Sequence, residues 1–290
     1  MDHERRIQTV CAEHFGLTPS SITLVKRLMG GMSNYTYVID VDGEQYTYRI
    51  PGKNAGHFVD RKEEAFHLPL AESLGISNDT VKLDIETGEK IGRYIEGTPM
   101  SEGDPLKHLK AVAALLKQVH HATLTTPIDY APFARLTRYE ALVRAYDHTH
   151  SDRYHAIKTT LLERHADFAA DSTTFTHGDA QPSNFVITDQ GLKLVDWEFT
   201  GNNDPYYDIA QFGNMNFDHA RALLPVYLER EPDAHEHNRL HLWRAFQCLQ
   251  WHNVALYKAF IGLSEELGID FEKVAGIYLD KADAMIASLK

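Results

Sequence analysis

The sequence predicts an α+β fold in two lobes, a small antiparallel β-sheet lobe first and a larger, mostly helical lobe after it. Two patterns carry the prediction. Tyr35, Tyr37, Ile39 and Val41 alternate with Thr36, Val38 and Asp40; across Asp42-Gly43, Tyr46, Tyr48 and Ile50 alternate with Gln45, Thr47 and Arg49. This is the period-two signature of a hairpin closed by a tight turn. Past Glu96-Gly97-Thr98-Pro99 the apolar spacing becomes that of long helices. The lobes are therefore drawn at 1–95 and 96–290.

The remaining elements follow in order. Ile7, Val10, Cys11, His14 and Phe15 recur at helical spacing until Gly16 and Pro19 close the helix, which reads only as a lead into the first lobe. Residues 22–28 form a short β-branched strand. A helix from about Phe58 to Leu74 ends at Gly75, and two strands flank Thr87-Gly88, the second over Lys90–Ile95. The second lobe opens with helices over Leu106–His121, Leu136–His150 and about Tyr154–Ala169. Between Thr173 and Asp196 the pattern is strand, polar loop, strand, a turn at Asp189–Gly191 and strand, and helices resume from Pro205 to the end.

A chain of 290 residues that is 43% hydrophobic can bury one or two cores, and a charged fraction of 24% is that of a globular enzyme, not of a disordered chain. The net charge of -12 argues against nucleic acid as a partner, because a phosphate backbone calls for a basic surface. Cys11 and Cys248 lie far apart in apolar helical patterns with no C-x-x-C spacing, so buried free thiols in a reducing compartment are expected. No apolar run reaches the length of a membrane span and no signal peptide follows the first residues. A cytoplasmic location is the expectation.

The segment richest in chemistry is His177-Gly178-Asp179-Ala180-Gln181-Pro182-Ser183-Asn184, followed by Leu194-Val195-Asp196-Trp197-Glu198. Phosphoryl transfer needs an oriented nucleophile and neutralised charge more than covalent help. One Asp can align an acceptor hydroxyl and take its proton, while an Asn oxygen and a second Asp can hold magnesium, a hard ion that prefers oxygen ligands. A short loop and the hairpin after it supply all three groups. A second segment, Met29-Gly30-Gly31-Met32-Ser33-Asn34, lies between two strands; its glycines and exposed amides could cradle phosphate oxygens, although alone it reads as an ordinary hairpin turn.

The H-x-D-x-x-x-x-N pattern with D-W-E after it resembles the catalytic and metal loops of the aminoglycoside phosphotransferase and choline kinase superfamily, a branch of the protein-kinase-like fold. The resemblance runs nearly the whole chain and is nearest to bacterial choline kinases. It implies ATP and Mg2+ as cofactors, Asp179 as catalytic base, Asn184 and Asp196 as magnesium ligands, and His177 as a brace for the loop. It implies that Gly30, Gly31, Ser33 and Asn34 cover the nucleotide phosphates. Arg49, on the third strand, would grip them and pair with Glu64, with Glu63 the less favoured partner. The backbone about Tyr94 and Glu96 would meet the adenine edge. Asp208, in Asn203-Asp204-Pro205-Tyr206-Tyr207-Asp208-Ile209-Ala210, would steady the catalytic loop, and Glu198 would lie near the acceptor.

The acceptor the resemblance favours is a small cationic alcohol, choline first, with ethanolamine, thiamine and aminoglycosides as rivals; a catalytically inactive binding protein of the same fold is the alternative from another class. A quaternary ammonium is best met by aromatic faces and a carboxylate. Trp243, Gln247 and Trp251 follow one another at i+4 steps on the last long helical pattern, with Tyr257 about 120° off that line. Choline kinases place two tryptophans a turn apart there; Trp251 matches the first, Val254 stands at the second, and Tyr206, Tyr207 or Trp197 would have to compensate. Gln247, Trp251 and Tyr257 are thus the candidate acceptor residues, with core packing as the competing use of such a stripe. His235, His237 and His241 include an i, i+4 pair without a third ligand at metal spacing, and surface histidines are expected.

Overall fold

A computed structural model describes residues 3–28, 34–168 and 173–289. In chain order the elements are α1 (His3–Phe15), β1 (Ile22–Leu28), β2 (Asn34–Val41), β3 (Glu44–Pro51), α2 (Arg61–Ser73), β4 (Thr80–Leu83), β5 (Lys90–Arg93) and β6 (Thr98–Pro99). There follow α3 (Leu109–His120), α4 (Pro132–Arg144), α5 (Asp152–Phe168), β7 (Thr174–Thr176), β8 (Phe185–Thr188), β9 (Gly191–Leu194) and β10 (Gly201–Asn203). The chain closes with α6 (Pro205–Phe212), α7 (Phe217–Leu228), α8 (Ala234–Phe260), α9 (Leu263–Leu267) and α10 (Phe271–Ala287). Among the described residues no helix is long and apolar enough to cross a membrane.

The chain divides into two compact units, one of residues 1–103 with 183–199, the other of 104–182 with 200–290. The break after the first run of sheet thus falls later than the 95/96 line drawn from the sequence, and the β8–β9 hairpin is counted with the first unit. The reason is pairing: β6 lies antiparallel to β8, Thr98 opposite Ile187.

In the first unit β1-β2-β3-β5-β4 form an antiparallel sheet, with α2 inserted after the third strand as the alternation predicts. The helix α1 does more than lead into it. Ile7, Cys11 and Ala12 are buried against Ile22, Ile39, Val41, Tyr46, Tyr48 and Ile91, so α1 closes one face of the sheet. Burial pushes the Cys11 thiol up to about 12, leaving it neutral and unreactive.

In the second unit the long helix α8 is the spine, with α4, α5, α6 and α10 packed on it. It starts at a capping box in which Asp233 accepts from the Glu236 amide and Glu236 accepts from the Asp233 amide. Several helices differ in extent from the periodicity. The helix α4 begins at Pro132, well suited to a first turn, and ends at Arg144; Asp147 then takes φ +57°, which no helix continues. The helix α3 begins after a 3-10 turn over Pro105–His108. The short β10 was not legible, because Gly201-Asn202-Asn203 has no alternation; its pairing with β7 alone makes it a strand.

Candidate active site

The loop after β7 is built around a buried carboxylate. Asp208 on α6 accepts the backbone N–H of His177 through Oδ2 and that of Gly178 through Oδ1, both at 2.8 Å, and its Oδ2 lies 3.0 Å from His120 Nε2. Burial alone would raise the Asp208 carboxyl, but His120 and His177 outweigh it and hold it below the usual carboxylate range. Gly178 has φ +80°, a conformation that suits glycine. The imidazole Nδ1 of His177 accepts the Asp179 N–H at 3.1 Å, which is the bracing contact its place in the loop suggested.

Asp179 itself is 7% exposed. Its Oδ1 accepts from the Gln211 side-chain amide at 2.6 Å and its Oδ2 from that of Gln181 at 3.0 Å. Two amides, one on each oxygen, fix the plane of the carboxylate. Because a carboxylate offers no hydrogen, Gln211 must present its nitrogen to Asp179, and its buried Oε1 is left without a partner among the described residues.

The hairpin β8–β9 carries the candidate metal ligands. Phe185 pairs with Leu194, and one step outward the Val195 N–H donates to the Asn184 carbonyl at 2.9 Å, so Asn184 and Asp196 flank the open end of one hairpin. Asp196 has φ +70°, a left-handed backbone that costs a residue with a Cβ roughly 1 kcal/mol. Its carboxylate is partly exposed. A hard divalent cation takes oxygen ligands and keeps several waters. The Asn184 amide oxygen and Asp196 carboxylate are donors of that kind, so the residues present fit Mg2+.

Next to Asp196 in the same unit is a cluster of buried charge. Arg49 and Glu64 face each other through two hydrogen bonds, Nη1 to Oε1 at 2.7 Å and Nη2 to Oε2 at 2.9 Å. Arg49 Nη1 also lies 3.8 Å from Asp196 Oδ1 and 3.4 Å from Glu198 Oε2, while its Nη2 reaches the Gly88 carbonyl at 3.0 Å. Arg61, at the first turn of α2 behind its N-cap Asp60, joins Glu64 at 2.6 Å and Glu198 at 2.8 Å. Burial works against a charge on Glu64, but Arg49, Lys90 and Arg61 overcome it and hold the carboxyl far below the usual range. For Glu198, burial and the nearby Asp196 prevail over Arg49 and Arg61, and its carboxyl is raised.

Among the site candidates, Arg49 and Glu64 are brought together. Glu198, expected near the acceptor, has its carboxylate held by Arg61, Arg49 and the Asn34 side-chain amide (3.2 Å), donors that a buried carboxylate needs. Gly30, Gly31 and Ser33 lie outside the described residues. The Tyr94 N–H donates to the Gln45 carbonyl at 3.2 Å and the Arg93 N–H to the Asp79 carbonyl at 2.8 Å, so the Tyr94 amide is taken up within the first unit. Glu96 is exposed.

The aromatic helix divides likewise. Trp251 is half-buried and stacks on Tyr278 of α10, centroids 6.3 Å apart and planes 23° apart. Tyr257 is buried and packs edge-on against Tyr146 instead, the outcome of its different helical angle. Gln247 is fully buried, donating to the Tyr207 carbonyl and accepting from Arg244. Trp243 donates its indole N–H to Asp204 at 2.7 Å. Trp197, Tyr206 and Tyr207, the residues that would compensate for Val254, are all buried: Trp197 donates to the Leu194 carbonyl, Arg239 covers the Tyr206 ring, and the Tyr207 hydroxyl is bonded to Tyr130 and Gln250. His241 Nδ1 is bonded to the His237 carbonyl and His235 Nε2 to that of Asp167.

With this geometry in hand, comparison with known proteins defines the class. The profile of APH, the phosphotransferase enzyme family, matches residues 25–243, and the chain belongs to that family. It is a phosphotransferase with an alcohol group as acceptor. Protein LicA of Haemophilus influenzae is 26% identical over 278 residues, which cover 90% of this chain and 79% of that one. The crystal structure of choline kinase LicA from Streptococcus pneumoniae matches with TM-score 0.78 at 24% identity, covering 99% of this chain and all of that one (100%). A crystal structure of LicA in complex with AMP matches with TM-score 0.77 and 24% identity over 100% of both chains. The fold is the α+β kinase-like fold the sequence predicts.

Sequence reasoning did not find Gln211, Asn214, Arg244, Arg61 or Tyr278. For Arg244 a signal existed: a single cation between Trp243 and Ala245-Phe246, inside an otherwise apolar stretch of α8. Gln211 sits likewise between Ile209-Ala210 and Phe212, but its partner, like that of Asn214, lies far away in the chain.

Proposed function

We propose that the chain transfers the γ-phosphate of ATP, with Mg2+, to the hydroxyl of a small cationic alcohol in the cytoplasm, choline ahead of ethanolamine, thiamine and aminoglycosides. In this reading Asp179 takes the hydroxyl proton as the oxygen bonds to the γ-phosphorus, the bond from that phosphorus to the bridging oxygen breaks, and ADP leaves with its electron pair. The donors from Gln211 and Gln181 hold the Asp179 carboxylate in one orientation for that transfer. Arg49, steadied by Glu64, grips the α- and β-phosphates, and Asn34 lies at the start of the strand that follows the glycine-rich segment. Asn184 and Asp196 would hold Mg2+, which neutralises charge on the phosphates when bound.

The observation that carries the reading is the 3.8 Å approach of Arg49 Nη1 to Asp196 Oδ1. One guanidinium pinned by a buried carboxylate, beside a partly exposed oxygen donor in left-handed backbone, is an arrangement suited to a polyphosphate and its cation. The stacked pair Trp251–Tyr278 and the acidic balance of the chain support a cationic acceptor. The similar structure from Streptococcus pneumoniae is named choline kinase LicA, which favours choline within that class.

The test is ATP consumption by wild type and Asp179→Ala with Mg2+ across choline, ethanolamine, thiamine and kanamycin. Loss of a general base should lower turnover on the preferred acceptor at least ~10²-fold. Equal inertness of both proteins on every acceptor would instead support a binding protein that keeps the fold.

A further inference from the structure

Arg244 is 2% exposed in the middle of α8, yet the described residues offer it no carboxylate at ion-pair distance. Its partners are neutral: Nη1 donates to Gln247 Oε1 at 3.0 Å, and Nη2 to the Asn214 carbonyl at 3.1 Å and to Asn214 Oδ1 at 2.9 Å. A buried cation is costly unless its charge is compensated. Compensation is found along the hydrogen bonds. Asn214 Nδ2 donates to Gln181 Oε1 at 2.8 Å, and Gln181 Nε2 donates to Asp179 Oδ2 at 3.0 Å.

The direction of this chain is forced at both ends. A guanidinium has no acceptor, so Asn214 must turn its oxygen to Arg244; a carboxylate has no donor, so Gln181 must turn its nitrogen to Asp179. The two assignments meet at the middle link and agree there. Both amide dipoles therefore point the same way between a fixed positive and a fixed negative charge, an arrangement in which each bond polarises the next. All four residues lie in the second unit.

We propose that Arg244 is the remote counter-ion of Asp179, coupled to it through the side-chain amides of Asn214 and Gln181, and thus a positioning residue for the proton transfer. The coupling keeps Asp179 ionised and holds its carboxylate in one plane. Gln247 accepts from the same guanidinium and donates to the Tyr207 carbonyl, off the path to Asp179.

The kinetic arm of the test rests on Asp179 being the base, as proposed above; the spectroscopic arm does not. With saturating ATP, Mg2+ and whichever of the four acceptors wild type turns over, Arg244→Met should lower kcat about tenfold with KM for ATP unchanged. The acidic limb of its kcat–pH profile should move to higher pH, because a charge favouring the ionised carboxylate is gone. Arg244→Lys, which keeps the charge without the planar fork, should fall between. Asn214→Ala breaks the relay outside α8 and should repeat the shift. Arg244→Met combined with Gln181→Leu should cost little more than the worse single change. Independently of activity, the 13C titration of the Asp179 carboxyl should have its midpoint moved up in Arg244→Met and Asn214→Ala. Unmoved midpoints, or additive losses in the double variant, would overturn the relay. Undiminished turnover in Asp179→Ala would overturn the function reading and leave the titration result standing.

Discussion

Arg49 and Glu64 face each other as a buried, two-bonded ion pair, with Nη1–Oε1 2.7 Å and Nη2–Oε2 2.9 Å. The pair shares its surroundings with Glu198, yet the two acids respond to burial in opposite senses, and that difference can be measured. The Glu64 carboxyl is lowered in the fold, so its stabilisation is fully present above the unfolded value of about 4.3 and is lost as pH falls through the folded one. Glu64→Gln should cost about 3 kcal/mol in urea denaturation at pH 7, the gap narrowing below about pH 4. The Glu198 carboxyl is raised, so its contribution is present at low pH and lost as pH rises through the folded value. Glu198→Gln should therefore match or exceed wild-type stability at pH 8. Equal losses for the two variants at pH 8 would contradict this picture.

Asp208 accepts two consecutive backbone N–H groups of the loop before Asp179. In Asp208→Asn one of the two would meet an amide nitrogen in place of an oxygen. About 2 kcal/mol of stability should go with it, and kcat should fall while KM for ATP holds. The wild-type contribution should fade only below about pH 4, since the folded carboxyl is lowered and its stabilisation is lost as pH falls through that value.

Trp251 and Tyr278 offer the half-buried aromatic pair on which a cationic acceptor would rest. Trp251→Ala should weaken choline binding about 2- to 30-fold, the span of a cation–π contact, with Tyr278→Ala acting in the same direction. Unchanged choline affinity by calorimetry in both variants would remove the pair from the acceptor site.

Gly97 is held close to β8: a Cβ there would sit 2.5 Å from the Ile187 carbonyl oxygen and 2.7 Å from Val186 Cγ1. Gly97→Ala should lower stability by about 1–3 kcal/mol by pushing β6 off β8. At Gly103 the nearest atom is 3.9 Å away, and Gly103→Ala should stay within about 0.5 kcal/mol of wild type in the same melt.

Asp196 occupies left-handed backbone at φ +70°. Asp196→Gly should recover up to ~1 kcal/mol of stability while abolishing turnover that depends on Mg2+. A variant both less stable and still active would show that the side chain serves packing alone.

Much of this was readable because the relevant physics is local. Alternation about Asp42-Gly43 produced the hairpin of β2 and β3 and put Arg49 on the polar face of its strand; its pairing with Glu64 on the next helix came from the family resemblance. What the sequence hid depends on partners distant in the chain. That Arg61, on the first turn of α2, holds Glu198 could not be read from the sequence. Trp251 and Tyr257 look alike as letters, and only the neighbouring Tyr278 and Tyr146 separate them. Arg244, Asn214 and Gln181 are individually unremarkable polar residues; their alignment exists only once α8 and the catalytic loop have folded. The ends of α4 were misjudged for a local reason, since apolar spacing continues past Arg144 although the backbone at Asp147 turns away.

The first unit takes residues 183–199 from far downstream, and this sets an order on its birth. A ribosome that has released residues 1–103 has delivered all five strands of the sheet, but neither the hairpin that β6 pairs with nor the Glu198 and Asp196 that share Arg49. The nascent N-terminal portion must wait, with Arg49 and Arg61 sharing the one carboxylate of Glu64, until the helices α3, α4 and α5 have emerged and residue 199 has followed them. Gene fragments cut after the first unit's leading stretch should consequently behave as unfinished chains, and complementation by a separately made peptide spanning 183–199 is where completion would be seen.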